Sequence, residues 1–318
     1  MRLKNIDLFK GLLIVLVILG HIIPKEISES FGRTIIYSFH MPLFIGISGF
    51  LFNADKLIKI GFVDLITKYR YRVILPWLIA VIFYFAMMSI YSGGISVLEL
   101  LKAFTYPFYH LWFIPAFLSW VIITWFLKRV KFSHQRLLII AAIVSVCSSV
   151  LRYYPGLYQD LTVVNAGVKV ILHTFRPDFF FFFALGFVFR HQELKRPKFI
   201  EYILPLLGLL LVVYLFYNPI KEASLFNYYF FNVVLLSLVL KICSNEMIGG
   251  SKAIEWVGVN SLAIYLWHVL PILIVKYGVG TEHLVLYYSV VIFLEVVFII
   301  IYRYLINIGF LRKYVFGM

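Results

Sequence analysis

Residues 8–24 read LFKGLLIVLVILGHIIP, and this stretch decides the class of fold. It is apolar apart from Lys10 near its start and His21 near its end. A run of this length is typical of a transmembrane helix, which needs about 20 mostly apolar residues. The basic start of the chain imitates a signal peptide, but no small-residue cleavage site follows. We therefore interpret residues 8–24 as a retained first span.

The same apolar character extends over the whole chain. Of its 318 residues, 63% are hydrophobic and only 14% are charged, whereas soluble domains are about 45–50% apolar and about 25% charged. We predict an all-α, polytopic membrane helix bundle that forms one membrane-embedded domain over residues 1–318, because helices satisfy their own backbone hydrogen bonds in lipid. The ten predicted spans lie near residues 8–24, 36–54, 72–92, 108–127, 137–151, 170–189, 199–217, 225–241, 259–276 and 285–303.

The charges are distributed unevenly along the chain, which carries 29 Lys and Arg against 15 Asp and Glu. With a cytoplasmic N-terminus, 21 of the basic residues fall in inner segments and seven in outer segments, while Arg176 lies within a span. The positive-inside rule then predicts that both termini are cytoplasmic. Since this rule explains the basic excess, we expect no nucleic-acid partner. Cys147 and Cys243 have no metal-binding spacing, so we expect neither a disulfide framework nor a metal site.

Lys10 and His21 lie eleven residues apart in the first predicted span. In a helix this spacing places them about 20° apart around the axis and about 16 Å apart along it, on one face near opposite leaflets. Gly11 and Gly20 would let a neighbouring helix approach closely. Placing an ionisable residue within a membrane costs about 2.5 kcal/mol or more, so each such residue needs a structural or functional explanation. Either Lys10 snorkels to the headgroups and His21 forms an interhelical hydrogen bond, or the pair is functional.

A second polar signal lies in residues 39–50, which read FHMPLFIGISGF. His40 falls at the outer end of its span, near the level of His21 in the assigned topology. Gly46 and Gly49 are most simply explained by close helix packing.

Further polar residues mark later spans. Arg176 and Asp178 flank Pro177, and they form either a structural ion pair that offsets its own burial or part of a site. Trp112 begins the fourth span as an interfacial anchor or a site residue. His268 lies within the ninth predicted span. Because most histidines fall at outer depth, we expect any chemistry toward the outer leaflet.

The inner side carries a different pattern at residues 68–72, which read KYRYR and precede the third span. With Lys10, the two arginines Arg70 and Arg72 form a cationic mouth suited to phosphate groups. The alternative is that this charge run is only a topology signal.

Together these segments resemble the acyltransferase family 3 membrane proteins, in particular the branch similar to fucose 4-O-acetylases and other polysaccharide O-acetyltransferases. The family's basic residue, ten intervening residues and histidine are matched by Lys10 and His21. Its Phe-His-Met-Pro-Leu-Phe and Ser-Gly-Phe signature, its paired arginines, its Leu-Trp-Phe and its Tyr-Leu-x-His are matched in order by residues 39–50, 70–72, 111–113 and 265–268. The arginines here are separated by one residue rather than two.

The resemblance implies transfer of an acyl group, usually acetyl from acetyl-CoA, to a hydroxyl of a glycan or lipid-linked sugar at the cell membrane. It implies that His21 is the general base or a transient acyl carrier, since a histidine suits both roles. The remaining implied roles are orientation by Arg176 and Asp178, CoA phosphate binding by Lys10, Arg70 and Arg72, and acceptor binding by His40, Trp112 and His268.

Two other classes of function are alternatives to this interpretation. A carrier or flippase for polysaccharide intermediates would also be polytopic with buried ionisable residues. Carriers commonly show internal repeats, and residues 1–150 and 151–318 show no convincing duplication. A structural membrane protein without chemistry gives no reason for the outer histidines.

Overall fold

The computed structural model describes residues 4–92, 94, 96–158, 162–245 and 249–318. Every regular element in these residues is helical, which confirms the all-α prediction. The α-helices are α1 (Lys4–Ile22), α2 (Phe31–Leu51), α3 (Ala54–Leu57), α4 (Phe62–Tyr69), α5 (Leu75–Ser92), α6 (Val97–Thr105), α7 (Phe113–Arg129), α8 (His134–Tyr153), α9 (Thr162–Val170), α10 (Phe180–Arg190), α11 (Phe199–Tyr217), α12 (Lys221–Asn245), α13 (Lys252–Val259), α14 (Ser261–Trp267), α15 (Val269–Gly278) and α16 (Leu284–Leu305). The π-helical turns are Arg70–Ile74, Ile171–Phe175 and Leu311–Val315.

Eight of the described helical segments are long and apolar enough to cross a membrane, and a bent pair makes a ninth. The sequence predicts ten spans, one more than this number. The extra span, 108–127, corresponds to α7, which begins only at Phe113 and has 17 residues. This length gives about 25 Å of helix, against a hydrocarbon core about 30 Å thick. The eight segments are Asn5–Ile22, Phe31–Leu51, Phe62–Tyr91, His134–Tyr153, Phe199–Tyr217, Lys221–Asn245, Ser261–Gly278 and Leu284–Leu305.

The chain forms two compact units. The first comprises Met1–Ile47 and Gln192–Arg312, and the second comprises Ser48–His191 and Lys313–Met318. That residues 1–318 act as a single acyltransferase domain, with both termini in the cytoplasm, stays a prediction.

Glycines set the packing of α1 in the first unit. A Cβ atom on Gly11 would collide with the carbonyl of Ile254 in α13, and one on Gly258 would collide with the carbonyl of Asp7. The two helix backbones therefore touch, which small residues permit. The predicted close approach of a neighbouring helix at Gly11 is confirmed.

Helix α2 continues through Pro42 without a break. Proline has no N–H, so the carbonyl of Ser38, four residues earlier, loses its usual helical donor. The side chain of Asn232 in α12 donates to that carbonyl at 2.8 Å. One turn further on, Gly46 lies against the Leu236 side chain of α12, so the predicted packing role of this glycine is also confirmed.

The second unit contains the bent pair, in which Asn165–Phe175 and Pro177–Arg190 meet at 46°. Arg176 at the break has φ +42°, and Pro177 follows it. A residue before proline is disfavoured in the α region, so the helix breaks here. Ser145 of α8 fixes the bend, because its hydroxyl donates to the Pro177 carbonyl and accepts from the Phe181 N–H, both at 2.8 Å. Gly49 packs on the Phe183 backbone of α10, as its predicted role requires.

Candidate functional site

His21 lies in the last turn of α1, where the final helical carbonyls need partners. The Tyr287 hydroxyl of α16 donates to the Ile22 carbonyl at 3.0 Å. The guanidinium of Arg33 donates to the carbonyls of Ile23, at 3.5 Å, and Lys25. Side chains from α16 and α2 thus hold the turn that carries His21.

Tyr37 of α2 reaches His21 across a gap that a glycine creates. A Cβ atom on Gly20 would lie 2.8 Å from the Tyr37 ring, closer than packing allows. The Tyr37 hydroxyl lies 3.5 Å from Nδ1 of His21. The guanidinium of Arg33 also contacts this hydroxyl at 3.5 Å and lies 5.1 Å from the ring centre. The predicted close approach at Gly20 is confirmed, and its partner is a tyrosine ring.

Two further histidines complete a group that we name the histidine cluster, which consists of His21, Tyr37, His40 and His268. The ring centres of His21 and His268 are 5.3 Å apart, and those of Tyr37 and His40 are 4.8 Å apart. His40 is 3% exposed and His268 is fully buried, whereas His21 is half-buried. His21 is therefore the histidine of the cluster that a substrate reaches most easily.

Main-chain hydrogen bonds determine which ring nitrogen carries the proton in each of the two buried histidines. Nδ1 of His40 lies 2.6 Å from the Ile36 carbonyl, and Nδ1 of His268 lies 2.8 Å from the Tyr265 carbonyl. A carbonyl only accepts, so each Nδ1 carries a proton and donates it. In the neutral ring, Nε2 is then the acceptor. Each buried ring can therefore accept a hydrogen bond through Nε2.

The break before Pro177 positions a second group, the bend cluster, which consists of Trp112, Arg152, Arg176, Asp178 and Phe179. Nε and Nη2 of Arg176 donate to the Asp178 carboxylate at 3.0 and 2.7 Å. Arg152 lies 3.9 Å from the same carboxylate. The Arg176 guanidinium is 4.6 Å from the Trp112 ring centre and 4.3 Å from that of Phe179. The buried charges compensate one another, which supports the structural-pair alternative for Arg176 and Asp178.

The predicted phosphate-binding residues fall in different units. Lys10 belongs to the first unit and pairs with Asp7 at 3.6 Å, one helical turn away. Arg70 and Arg72 belong to the second unit, where they are exposed on the π-helical turn Arg70–Ile74. The Arg70 guanidinium lies 5.2 Å from the Tyr71 ring centre.

Comparison with known proteins identifies the family of this chain. A family model described as an acyltransferase domain matches residues 3–305. The chain belongs to acyltransferase family 3. It is an integral membrane protein that carries the acyltransferase domain over nearly its whole length. This match supports the family but not a particular resemblance to fucose O-acetylases.

A curated relative matches a smaller part of this family 3 chain. An amino-acid racemase of Enterococcus faecalis is 27% identical over 144 residues, which cover 41% of this chain and 20% of the racemase. The chain thus spans about a fifth of that relative's length, and racemisation describes that protein only. No solved structure matches the chain.

Within this family 3 chain, the structure sorts the predicted site residues into groups. His21 contacts His268 directly and His40 through Tyr37. The other groups are Arg176 and Asp178 with Trp112 in the bend cluster, Lys10 with Asp7, and Arg70 with Arg72 on one turn.

Sequence reasoning missed Tyr287, which supports the end of α1, and three further residues of the first unit. Tyr37 lies three residues before His40, on the same side of α2, and this spacing could have identified it. Asn232 is an isolated amide in an apolar run, which is a signal of interhelical bonding. Arg33 was counted only as an outer charge, and nothing local to its sequence indicates that it holds the end of α1.

Proposed function

We propose that this protein is a multi-pass cell-membrane O-acyltransferase that moves an acetyl group from acetyl-CoA to a hydroxyl of a cell-surface or lipid-linked glycan. The observation that carries the proposal is the histidine cluster. It places the half-buried His21 against Tyr37 and His268 in a chain of acyltransferase family 3. Membrane lipids and the two substrates are the partners that this function requires.

The two ring nitrogens of His21 have different roles in this proposal. Because Nδ1 faces Tyr37, Nε2 is the atom that we assign to the reaction. As a general base it takes the proton of the acceptor hydroxyl while the oxygen attacks the thioester carbonyl carbon. The carbon–sulfur bond breaks, and the proton passes to the departing CoA thiolate, giving an O-acetyl ester and CoA. As an acyl carrier, Nε2 attacks the thioester carbonyl carbon first, the carbon–sulfur bond breaks and CoA leaves as the thiolate. The acceptor hydroxyl then attacks the acyl-imidazole, the bond from carbon to Nε2 breaks, and the hydroxyl proton passes by way of the freed Nε2 to the thiolate.

The remaining residues bind and orient the substrates in this proposal. Lys10, Arg70 and Arg72 bind the CoA phosphates, because guanidinium and ammonium groups form strong charge-assisted bonds to phosphate. His40, Trp112 and His268 contact the acceptor. Arg176 and Asp178 hold the bend that presents Trp112, which reconciles their ion pair with an orienting role.

The test is acetyl transfer by purified protein, using radiolabelled acetyl-CoA and a panel of glycan acceptors. We expect His21→Gln to lower turnover about 100-fold or more, since positioned proton transfer typically contributes this much. Glutamine retains hydrogen bonding but is neither a base nor an acyl carrier at neutral pH. The matched control is His283→Gln, at an exposed histidine before α16, which should keep full turnover.

Two outcomes would contradict the proposal. One is substantial turnover by well-folded His21→Gln. The other is a wild-type protein that moves a glycan across vesicles without consuming acetyl-CoA, as a carrier or flippase would.

A further inference from the structure

The last residues of the chain pack on the turn that carries Arg70 and Arg72. Lys313–Met318 belongs to the second unit. Gly317 has φ +68° and is buried, and a Cβ atom there would collide with the Arg72 carbonyl and lie 3.1 Å from Cγ of Pro76. Phe316 beside it is only 6% exposed. The positive φ and the backbone contact both favour glycine, so a side chain at position 317 would disturb the packing of Lys313–Met318 on the turn.

This packing brings another cation to the arginines. The Lys313 ammonium lies 4.7 Å from the Tyr71 ring centre and 5.1 Å from that of Tyr314. Arg70 lies 5.2 Å from the same Tyr71 ring. The two tyrosine rings pack edge to face at 5.8 Å. Lys313 and Arg70 therefore share one aromatic ring, with both side chains exposed.

Neither of the two segments that meet here carries an aspartate or glutamate side chain. No Asp or Glu occurs between Asp64 and Glu99, and none follows Glu295. Like charges repel, so cations gathered on segments that carry no acidic side chain favour an anionic ligand. The arginines also lie on a π-helical turn, a feature that occurs frequently at functional sites.

We propose that Lys313 is a phosphate-binding residue of the acyl-donor site, and that the packing of Gly317 on Arg72 holds it beside Arg70 and Arg72. The proposal rests on the proposed acyl transfer and extends it to the end of the chain. Its ligand is the diphosphate of the CoA donor, to which guanidinium groups bind as a planar fork and an ammonium binds as a point charge. An anionic lipid headgroup has the same phosphate chemistry, so the experiment separates the two sources.

The experiment compares Lys313→Gln with Arg312→Gln in nanodiscs of phosphatidylcholine alone. Arg312 is the adjacent exposed cation, and it has no ring contact among the described residues. We expect Lys313→Gln to raise both the KM for acetyl-CoA and the Kd for CoA about tenfold, since charge-assisted bonds to phosphate are strong, while kcat changes less than twofold. Arg312→Gln should match the wild type. Lys313→Arg should restore donor affinity, and Gly317→Val, which displaces Lys313–Met318, should weaken it as Lys313→Gln does.

The two CoA readouts keep this inference separate from the proposed function. Weaker CoA binding by Lys313→Gln, with no acetyl transfer by any variant, would support the site and contradict the transferase. Unchanged CoA affinity in folded Lys313→Gln would overturn the inference. It would also be overturned if phosphatidylglycerol stabilises the wild type but not Lys313→Gln while CoA affinity is equal, because the ligand would then be a lipid.

Discussion

The side-chain amide of Asn232 donates to the main-chain carbonyl of Ser38 at 2.8 Å, and this bond replaces the one that Pro42 removes from α2. Asn232 is fully buried. His40 and Tyr37 lie on the same turn of α2 as this carbonyl. The bond therefore keeps α2 helical where it contributes to the histidine cluster, at a position where an unpaired carbonyl would be costly.

We expect Asn232→Leu to lower the free energy of unfolding by about 1–2 kcal/mol, because it leaves the Ser38 carbonyl without its donor. In a Pro42→Ala background the restored N–H supplies that carbonyl, and the same substitution should cost clearly less. Thermal unfolding in detergent of the four proteins of this cycle measures the difference.

The control for this cycle is Asn227→Leu, which removes a comparable bond from α12 to the Gly208 carbonyl at 3.0 Å. Its cost should be the same with Pro42 or Ala at position 42. If the cost of Asn232→Leu is also independent of position 42, the two residues are not coupled.

Gly20 and Gly32 form a matched pair of helical glycines. A Cβ atom on Gly20 would lie 2.8 Å from the Tyr37 ring, whereas on Gly32 its nearest neighbour would be 3.9 Å away. We expect Gly20→Ala to displace Tyr37 and to reduce acetyl transfer about tenfold or more, since small misplacements at a site are costly. Gly32→Ala should leave transfer unchanged and raise stability by up to about 1 kcal/mol. Equal activity in the two variants would contradict the role of Tyr37.

Tyr37→Phe keeps the ring and removes the hydroxyl that contacts Nδ1 of His21. We expect kcat to fall about fivefold with little change in KM, as losing about 1 kcal/mol of orientation implies. Tyr214→Phe, at an exposed tyrosine of α11, should change neither constant. A rise in KM at constant kcat would instead place Tyr37 in substrate binding.

The Arg176–Asp178 pair predicts a stability pattern. Asp178→Leu leaves the charge of Arg176 buried without its partner, so we expect it to lower the free energy of unfolding by about 3 kcal/mol. Arg176→Met should cost less, because Arg152 lies 3.9 Å from the same carboxylate. The double variant should be more stable than either single one. Glu201→Gln, which breaks the more exposed pair with Lys241, should cost about 1 kcal/mol or less. If the loss of stability in the double variant equals the sum of the losses in the two single variants, Arg176 and Asp178 do not compensate each other.

The charge bias predicts the orientation of the chain. Reporter fusions should place residues 56–70, 128–136 and 190–198 in the cytoplasm and residues 93–105, of which 93 and 95 lie outside the described residues, on the other side. This orientation requires the 17-residue α7 to cross the membrane although it is short for a span. If two of the three inner segments report outside, the assigned orientation is wrong.

The sequence by itself determined the helical class, most of the spans and the shared face of Lys10 and His21. These properties are local, because about 20 apolar residues make a span and eleven residues make about three helical turns. It did not determine that α7 begins at Phe113, since turns occupy residues 106–112 within an equally apolar stretch.

Only the tertiary structure decided what surrounds His21. Tyr37 is 16 residues away in sequence, and Asn232 is 194 residues from the carbonyl it supplies. Such contacts depend on which helices are neighbours and how closely small residues let them approach. The same apolar segments could pack in many arrangements without any change in hydropathy. The pattern of apolar residues therefore determines where the spans lie, whereas side-chain packing and hydrogen bonding determine which helices are neighbours.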